Sequence, residues 1–91
     1  MNTVFGDIMV TVKLRAFSIF SDIFGKEEIL NIDGKISVKD LVDYLKKNNK
    51  LFEETIKQIP VIILVNGKSV NEEYVLKEND EVAIIPPASG G

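Results

Sequence analysis

Five consecutive apolar residues, Val61-Ile62-Ile63-Leu64-Val65, run straight into Asn66-Gly67. An Asn-Gly pair after a strand-like run calls for a tight hairpin, because both central positions of a type I′ turn need positive φ. Lys68 to Val70 must therefore return as a short strand, and the chain must contain a sheet. The unbroken apolar run is the pattern of a strand buried on both faces.

The remaining elements are read around that hairpin. Met9 to Phe17 alternates, with Val10, Val12, Leu14 and Ala16 set against Thr11, Lys13 and Arg15, as in a half-buried strand. Residues 18–25 place apolar groups at 19, 20, 23 and 24 before Gly25, which suits a short helix or tight loop. Glu27 to Ile32 alternates again, with Ile29 out of phase, and Asp33-Gly34 makes a turn. The main helix opens at Ser37, which has capping-box spacing to Asp40. Val38, Leu41, Val42 and Leu45 form its apolar face and Lys39, Asp43, Lys46 and Lys47 its polar one, with Asp43 and Lys47 spaced for an i,i+4 ion pair. Asn48-Asn49 ends it. Leu51 to Ile59 repeats helical spacing through Phe52, Ile56 and Ile59, giving a second, shorter helix or turn before Pro60. After a polar stretch, Asn79-Asp80 turns into a last strand, Glu81 to Ile85.

The order ββαββ predicts an α+β fold: a mixed sheet of four to five strands, one main helix across a face, and short extra helices. The first and last strands can lie parallel at the centre, as the crossover rules permit. This is the β-grasp arrangement. A ferredoxin-like fold would need a second full helix, for which residues 51–59 are the one candidate.

Ninety-one residues suffice for one domain with one core. We divide them into an N-terminal extension (1–8), the domain (9–87) and a flexible tail (88–91). With 45% apolar residues, 27% charged residues and a net charge of −3, the chain reads as globular, with no nucleic-acid footprint. It has neither cysteine nor histidine, which removes thiol nucleophiles, imidazole acid/base catalysis and the usual zinc ligands. Carboxylate pairs at 27–28, 53–54 and 72–73 have no companions that would argue for a metal. No apolar run is long enough for a membrane helix and residues 1–8 do not read as a signal peptide, so a cytoplasmic location is expected, away from membranes.

The last seven residues point elsewhere than to a side chain. Pro86-Pro87 fix φ and remove two backbone donors, which ends sheet pairing at Ile85 and projects the following residues away from the fold. Gly90 and Gly91 have no side chains, so the carboxyl group of Gly91 becomes the tip of a thread narrow enough for a tight cleft. We expect that carboxyl, ionised near neutral pH, to be the working group.

From Val10 to Gly91 the chain resembles the MoaD/ThiS sulfur-carrier family of ubiquitin-like β-grasp proteins. The resemblance rests on Val65-Asn66-Gly67, on Leu76 with Asp80-Glu81-Val82, and above all on Ile85-Pro86-Pro87-Ala88-Ser89-Gly90-Gly91. The proline pair is closer to the MoaD, molybdopterin synthase, branch than to the thiamin-pathway ThiS carriers. Ser21-Asp22 stand where the family often has Arg-Glu, and Asn79 replaces a frequent glycine, although asparagine tolerates the left-handed region.

The resemblance implies a carrier for molybdenum cofactor biosynthesis whose carboxyl at Gly91, presented by Gly90, is activated from outside. A MoeB-like adenylating enzyme would use ATP to make the acyl-adenylate, and a sulfur donor acting through that partner would convert it to a thiocarboxylate. A MoaE-like large subunit of molybdopterin synthase would receive the sulfur, supply the catalytic groups and dock on Ile85, Pro86, Pro87, Ala88, Ser89 and Phe17. The carrier itself would hold no cofactor and no metal. Two other readings remain open: a ubiquitin-like protein modifier conjugated through Gly91, or a ThiS-type carrier for thiamin. A non-covalent binding module with an inert tail is a further one. As plain structure, Ile19, Phe20, Phe24 and Phe52 read as core, the helix lysines as a solvated face, and one of Ile84 and Ile85 must face away from the core.

Overall fold

The computed structural model describes residues 9–88. The elements are β1 (Met9–Ala16), α1 (Ile19–Phe24), β2 (Glu27–Asp33), α2 (Val38–Asn48), α3 (Lys50–Ile56), β3 (Ile62–Val65), β4 (Lys68–Ser69) and β5 (Glu81–Ile85). They form a five-stranded sheet in the order β2-β1-β5-β3-β4. β1 and β5 are parallel at its centre, and the other neighbours are antiparallel. With α2 packed across one face, this is the expected α+β β-grasp fold, with α1 and α3 as the short extra helices. The extension at residues 1–8 lies outside the described residues.

Local chemistry accounts for the boundaries. Asn66 and Gly67 both have positive φ, 53° and 82°, as the hairpin turn requires. At the start of α2, Ser37 Oγ accepts from the Asp40 N–H at 3.1 Å while Asp40 Oδ2 accepts from the Ser37 N–H at 3.1 Å, a complete capping box. Asn49 leaves helical geometry at φ −145° and its side chain accepts from the Phe52 N–H at 3.0 Å, so one residue ends α2 and caps α3.

The core lies between the sheet and the helices. β1 contributes Val12, Leu14 and Ala16, β5 contributes Val82 and Ile84, and α2 contributes Val38, Leu41 and Leu45. Phe20 of α1 and Phe52 of α3 are fully buried, with Phe24 packed against them. Their rings meet edge to face at 5.8 Å (Phe20–Phe52) and 5.0 Å (Phe24–Phe52), the favoured geometry for aromatic pairs.

Three expectations are corrected. β3 is not buried on both faces: Ile63 and Val65 turn inward, while Ile62 is 41% exposed on a sheet face that no helix among the described residues covers. Ile19 is exposed, because the six-residue α1 has room for only one inward stripe and Phe20 occupies it. Asp43 pairs with Lys39 at 3.1 Å through Oδ2 and with Lys46 at 3.6 Å through Oδ1 instead of with Lys47, so both carboxylate oxygens are already engaged.

Candidate functional site at the end of β5

β5 runs between β1 and β3, and its last residues leave the sheet where both neighbours present apolar side chains. Ile84 is fully buried, so alternation turns Ile85 to the uncovered face, where it lies opposite Ile62 of β3. Ala83 and Leu64 form the next outward pair. On the other side, the Phe17 N–H donates to the Ile84 carbonyl at 3.0 Å, which prolongs the β1–β5 ladder and sets the Phe17 ring beside the exit. Phe17 is 40% exposed.

A shallow groove of about 570 Å³ follows, lined by Phe17, Ser18, Ile19, Ile59, Ile85, Pro86, Pro87 and Ala88. Thus Ile85, Pro86, Pro87, Ala88 and Phe17, singled out from the sequence, come together on one surface. Ser89, Gly90 and Gly91 lie outside the described residues. The sequence reading missed Ser18, Ile19, Ile59 and the flanking Ile62. Alternation could have marked Ile62 had the whole run not been apolar. Nothing in the sequence marks Ser18, which adopts φ 54°, ψ −129°, the first central position of a type II′ turn closed by the Phe20 N–H onto the Phe17 carbonyl at 3.0 Å. A non-glycine residue there stores about 1–3 kcal/mol of strain.

Beside the apolar surface lies a charged strip. Arg15 sits 5.5 Å from the Phe17 ring centroid and contacts Glu81 at 3.6 Å and Glu27 at 3.8 Å, and Lys13 reaches Glu27 at 4.0 Å. These pairs are exposed and add little to stability. They do fix a border between an apolar half of the outer face, over β3, β5 and the end of β1, and a polar half over β1 and β2. Among the groove residues the one polar side chain is the Ser18 hydroxyl, with no base beside it. This surface can bind and orient. It has no acid, base or activated nucleophile of its own.

The opposite end of β5 is anchored by a polar network. Asp80, 6% exposed, accepts from Asn66 Nδ2 at 2.8 Å through Oδ1, and from the Tyr74 hydroxyl at 3.1 Å and the Lys77 N–H at 2.8 Å through Oδ2. Asn66 Oδ1 in turn accepts from the Glu81 N–H at 2.9 Å, and the Asn66 N–H donates to the Glu81 carbonyl at 2.8 Å. Burial alone would raise the Asp80 carboxyl, but the Lys77 N–H and the Asn66 and Tyr74 donors outweigh it and hold it below the usual carboxylate range. The Tyr74 hydroxyl is pushed upward, by burial first and then by its bond to Asp80. The Asn79 N–H reaches the Thr11 carbonyl at 2.7 Å with Asn79 at φ 68°, which ties the same turn to β1. Two short motifs, Asn66-Gly67 and Asp80-Glu81, are therefore halves of one lock that sets the start, and hence the exit, of β5.

Among the described residues no group of three or more carboxylates could hold a metal ion, and no helix is long and apolar enough to cross a membrane. In comparisons with known proteins, the molybdopterin synthase sulfur carrier subunit of Dictyostelium discoideum is 29% identical over 87% of this chain and 94% of its own length. Among solved structures, subunit 1 of a molybdopterin converting factor from Pyrococcus furiosus superposes with a TM-score of 0.73 at 30% identity, covering 87% of this chain and 99% of that one. The small archaeal modifier protein 1 of Methanosarcina acetivorans gives 0.70 at 27% identity, over 92% and 99%. The ThiS family matches residues 15–91, which take in the core outside the first part of β1, the lock at Asp80 and the exit of β5, and the chain belongs to that family.

Proposed function

We propose that this chain is a sulfur carrier for molybdopterin synthesis, the small, non-catalytic partner of a MoaE-like large subunit. The observation that supports this best is the groove at the end of β5: an apolar docking surface without catalytic groups, placed where residues 86–88 leave the fold. In this reading the domain ends at residue 87 and Ala88 to Gly91 form a thread that enters a partner's cleft. A carboxylate is a poor electrophile, so activation comes from a MoeB-like enzyme. The Gly91 carboxylate attacks the α-phosphorus of ATP and pyrophosphate leaves. Sulfide-level sulfur from a donor, as hydrosulfide, then attacks the acyl carbon, AMP leaves with the bonding pair and one proton is released, giving the thiocarboxylate. Ile85, Pro86, Pro87, Ala88 and Phe17 seat the carrier on each partner, and Ser89 and Gly90 span the cleft, so that docking raises the effective concentration of the reactive end. ATP is bound by the activating partner and the carrier binds no cofactor.

Incubation with a cognate adenylating enzyme, ATP and a sulfur donor, followed by intact-protein mass spectrometry, tests the proposal. Exchange of one oxygen for sulfur at Gly91 is expected, and deletion of Gly91 should abolish it without altering the fold. A second reading, attachment through Gly91 to lysines of other proteins, draws on the likeness to a small archaeal modifier protein. Lysine-linked conjugates without any thiocarboxylate would favour it, and neither product would leave a non-covalent binding module.

A further inference from the structure

β2 is the outer strand on the side of the sheet remote from β3 and β4. Its pairing with β1 fixes which backbone groups are spent. The Ala16 N–H donates to the Lys26 carbonyl at 3.1 Å, so even-numbered β2 residues bond to β1 and odd-numbered ones direct N–H and C=O outward. The Thr11 N–H, opposite Asn31, points away from β2 to Glu78 at 2.9 Å, in agreement. Ile29 and Asn31 thus present backbone groups with no partner among the described residues, in the middle of a seven-residue edge, and Ile29 is 56% exposed. Within β2 no proline, lysine or bulge blunts the edge, and what guards it is the acidic charge of Glu27, Glu28 and Asp33.

Two hollows flank this edge where β2 faces α2. One, of about 150 Å³, is lined by Phe24, Leu30, Tyr44 and Leu45, among others. The other, of about 450 Å³, is lined by Ile32, Ile36 and Tyr44 with Asp33, Lys35 and Asp40. Tyr44, 47% exposed, is common to both, so together they form one track parallel to the strand. A strand added to β2 would direct alternate side chains over that track.

Charge decides the occupant. Glu28 and Asp33 have no salt-bridge partner among the described residues, and with Asp40 they outnumber Lys35 along the track. A second copy paired over the full strand, centred on Leu30, would set Glu27 opposite Asp33 twice, a repulsive arrangement. A basic strand would find complementary ends. We propose that the β2 edge and its α2 groove take up, by strand addition, an extended segment of a partner protein with alternating apolar residues flanked by lysine or arginine. The site lies two strands away from β5 and is open independently of the groove there.

The test uses the full chain, ¹⁵N-labelled, titrated with a blocked peptide in which lysine pairs flank valine-threonine-isoleucine-threonine-valine. Saturable shifts confined to β2 and Tyr44, with slowed amide exchange at Ile29 and Asn31, are expected. Ile29→Pro removes an outward donor without touching the β1 ladder and should abolish binding. Glu28→Lys combined with Asp33→Lys should reverse the preference, weakening the lysine-flanked peptide about tenfold and favouring a glutamate-flanked one, a change of about 1.4 kcal/mol. Circular dichroism confirms that each variant is folded. The proposal is overturned by absence of saturation at millimolar peptide, by shifts mapping to β4 or the end of β5, by equal binding of both peptides, or by self-association that protects the same amides in the chain alone.

Discussion

Replacing Asp80 by asparagine keeps the shape of the side chain but not its bonding, and the geometry sets the cost. Oδ1 receives Asn66 Nδ2, while Oδ2 receives both the Tyr74 hydroxyl and the Lys77 N–H. An amide must set its NH₂ on one side or the other. Facing Asn66 it opposes a donor that cannot turn over, because Asn66 Oδ1 is committed to the Glu81 N–H. Facing Lys77 it opposes a backbone donor, and only the tyrosine hydroxyl can rotate to accept. Either way one bond is lost and two donors confront each other, which costs about 1–3 kcal/mol out of a stability on the order of 5–10 kcal/mol. That corresponds to a fall in Tm of roughly 5–20 °C. The loss depends on pH. A carboxyl held below its unfolded value contributes stability above the unfolded pKa and loses it as pH falls through the folded one, so the gap between Asp80→Asn and the parent should be full at neutral pH and close in acid. Urea unfolding followed by circular dichroism at neutral and strongly acidic pH measures both. An unchanged midpoint at neutral pH, or a gap that persists undiminished in acid, refutes the reasoning.

Ser18→Gly relieves a positive-φ serine and should stabilise the domain by about 1 kcal/mol, read as a higher urea midpoint. Phe52→Ala empties the centre of the aromatic cluster and should cost about 3–5 kcal/mol, read by calorimetry as a fall in Tm of roughly 15–35 °C. Ile85→Lys sets a charge on the half-buried, outward side of β5 and should leave the thermal midpoint nearly unchanged. In a titration against a MoaE-like subunit, the same variant should weaken binding by several kcal/mol.

What could be read in advance was whatever a few neighbouring residues decide. Ser37 and Asp40 are three apart and cap each other with no help from the rest of the chain, and Asn66-Gly67 carries its own turn geometry. Ile85, Pro86, Pro87 and Ala88 were legible as a surface because two prolines forbid further pairing. The failures involve partners distant in sequence. Ile62 looked buried because an apolar run does not reveal that one sheet face lacks a covering layer. The Asn66–Asp80 bond joins residues 14 positions apart, so each motif was visible and their union was not. Ser18 had no signal at all, since its backbone conformation is imposed by the need to pass from β1 to α1 in two residues.

The parallel pairing of β1 with β5, from Lys13–Glu81 to Ala16–Ile84, has a mechanical consequence. Force applied beyond Ile85 against the start of β1 runs along both strands in opposite senses, so their hydrogen bonds are loaded in shear and must yield together instead of opening one after another. A machine that grips either end of this protein meets its stiffest element first, at the centre of the sheet.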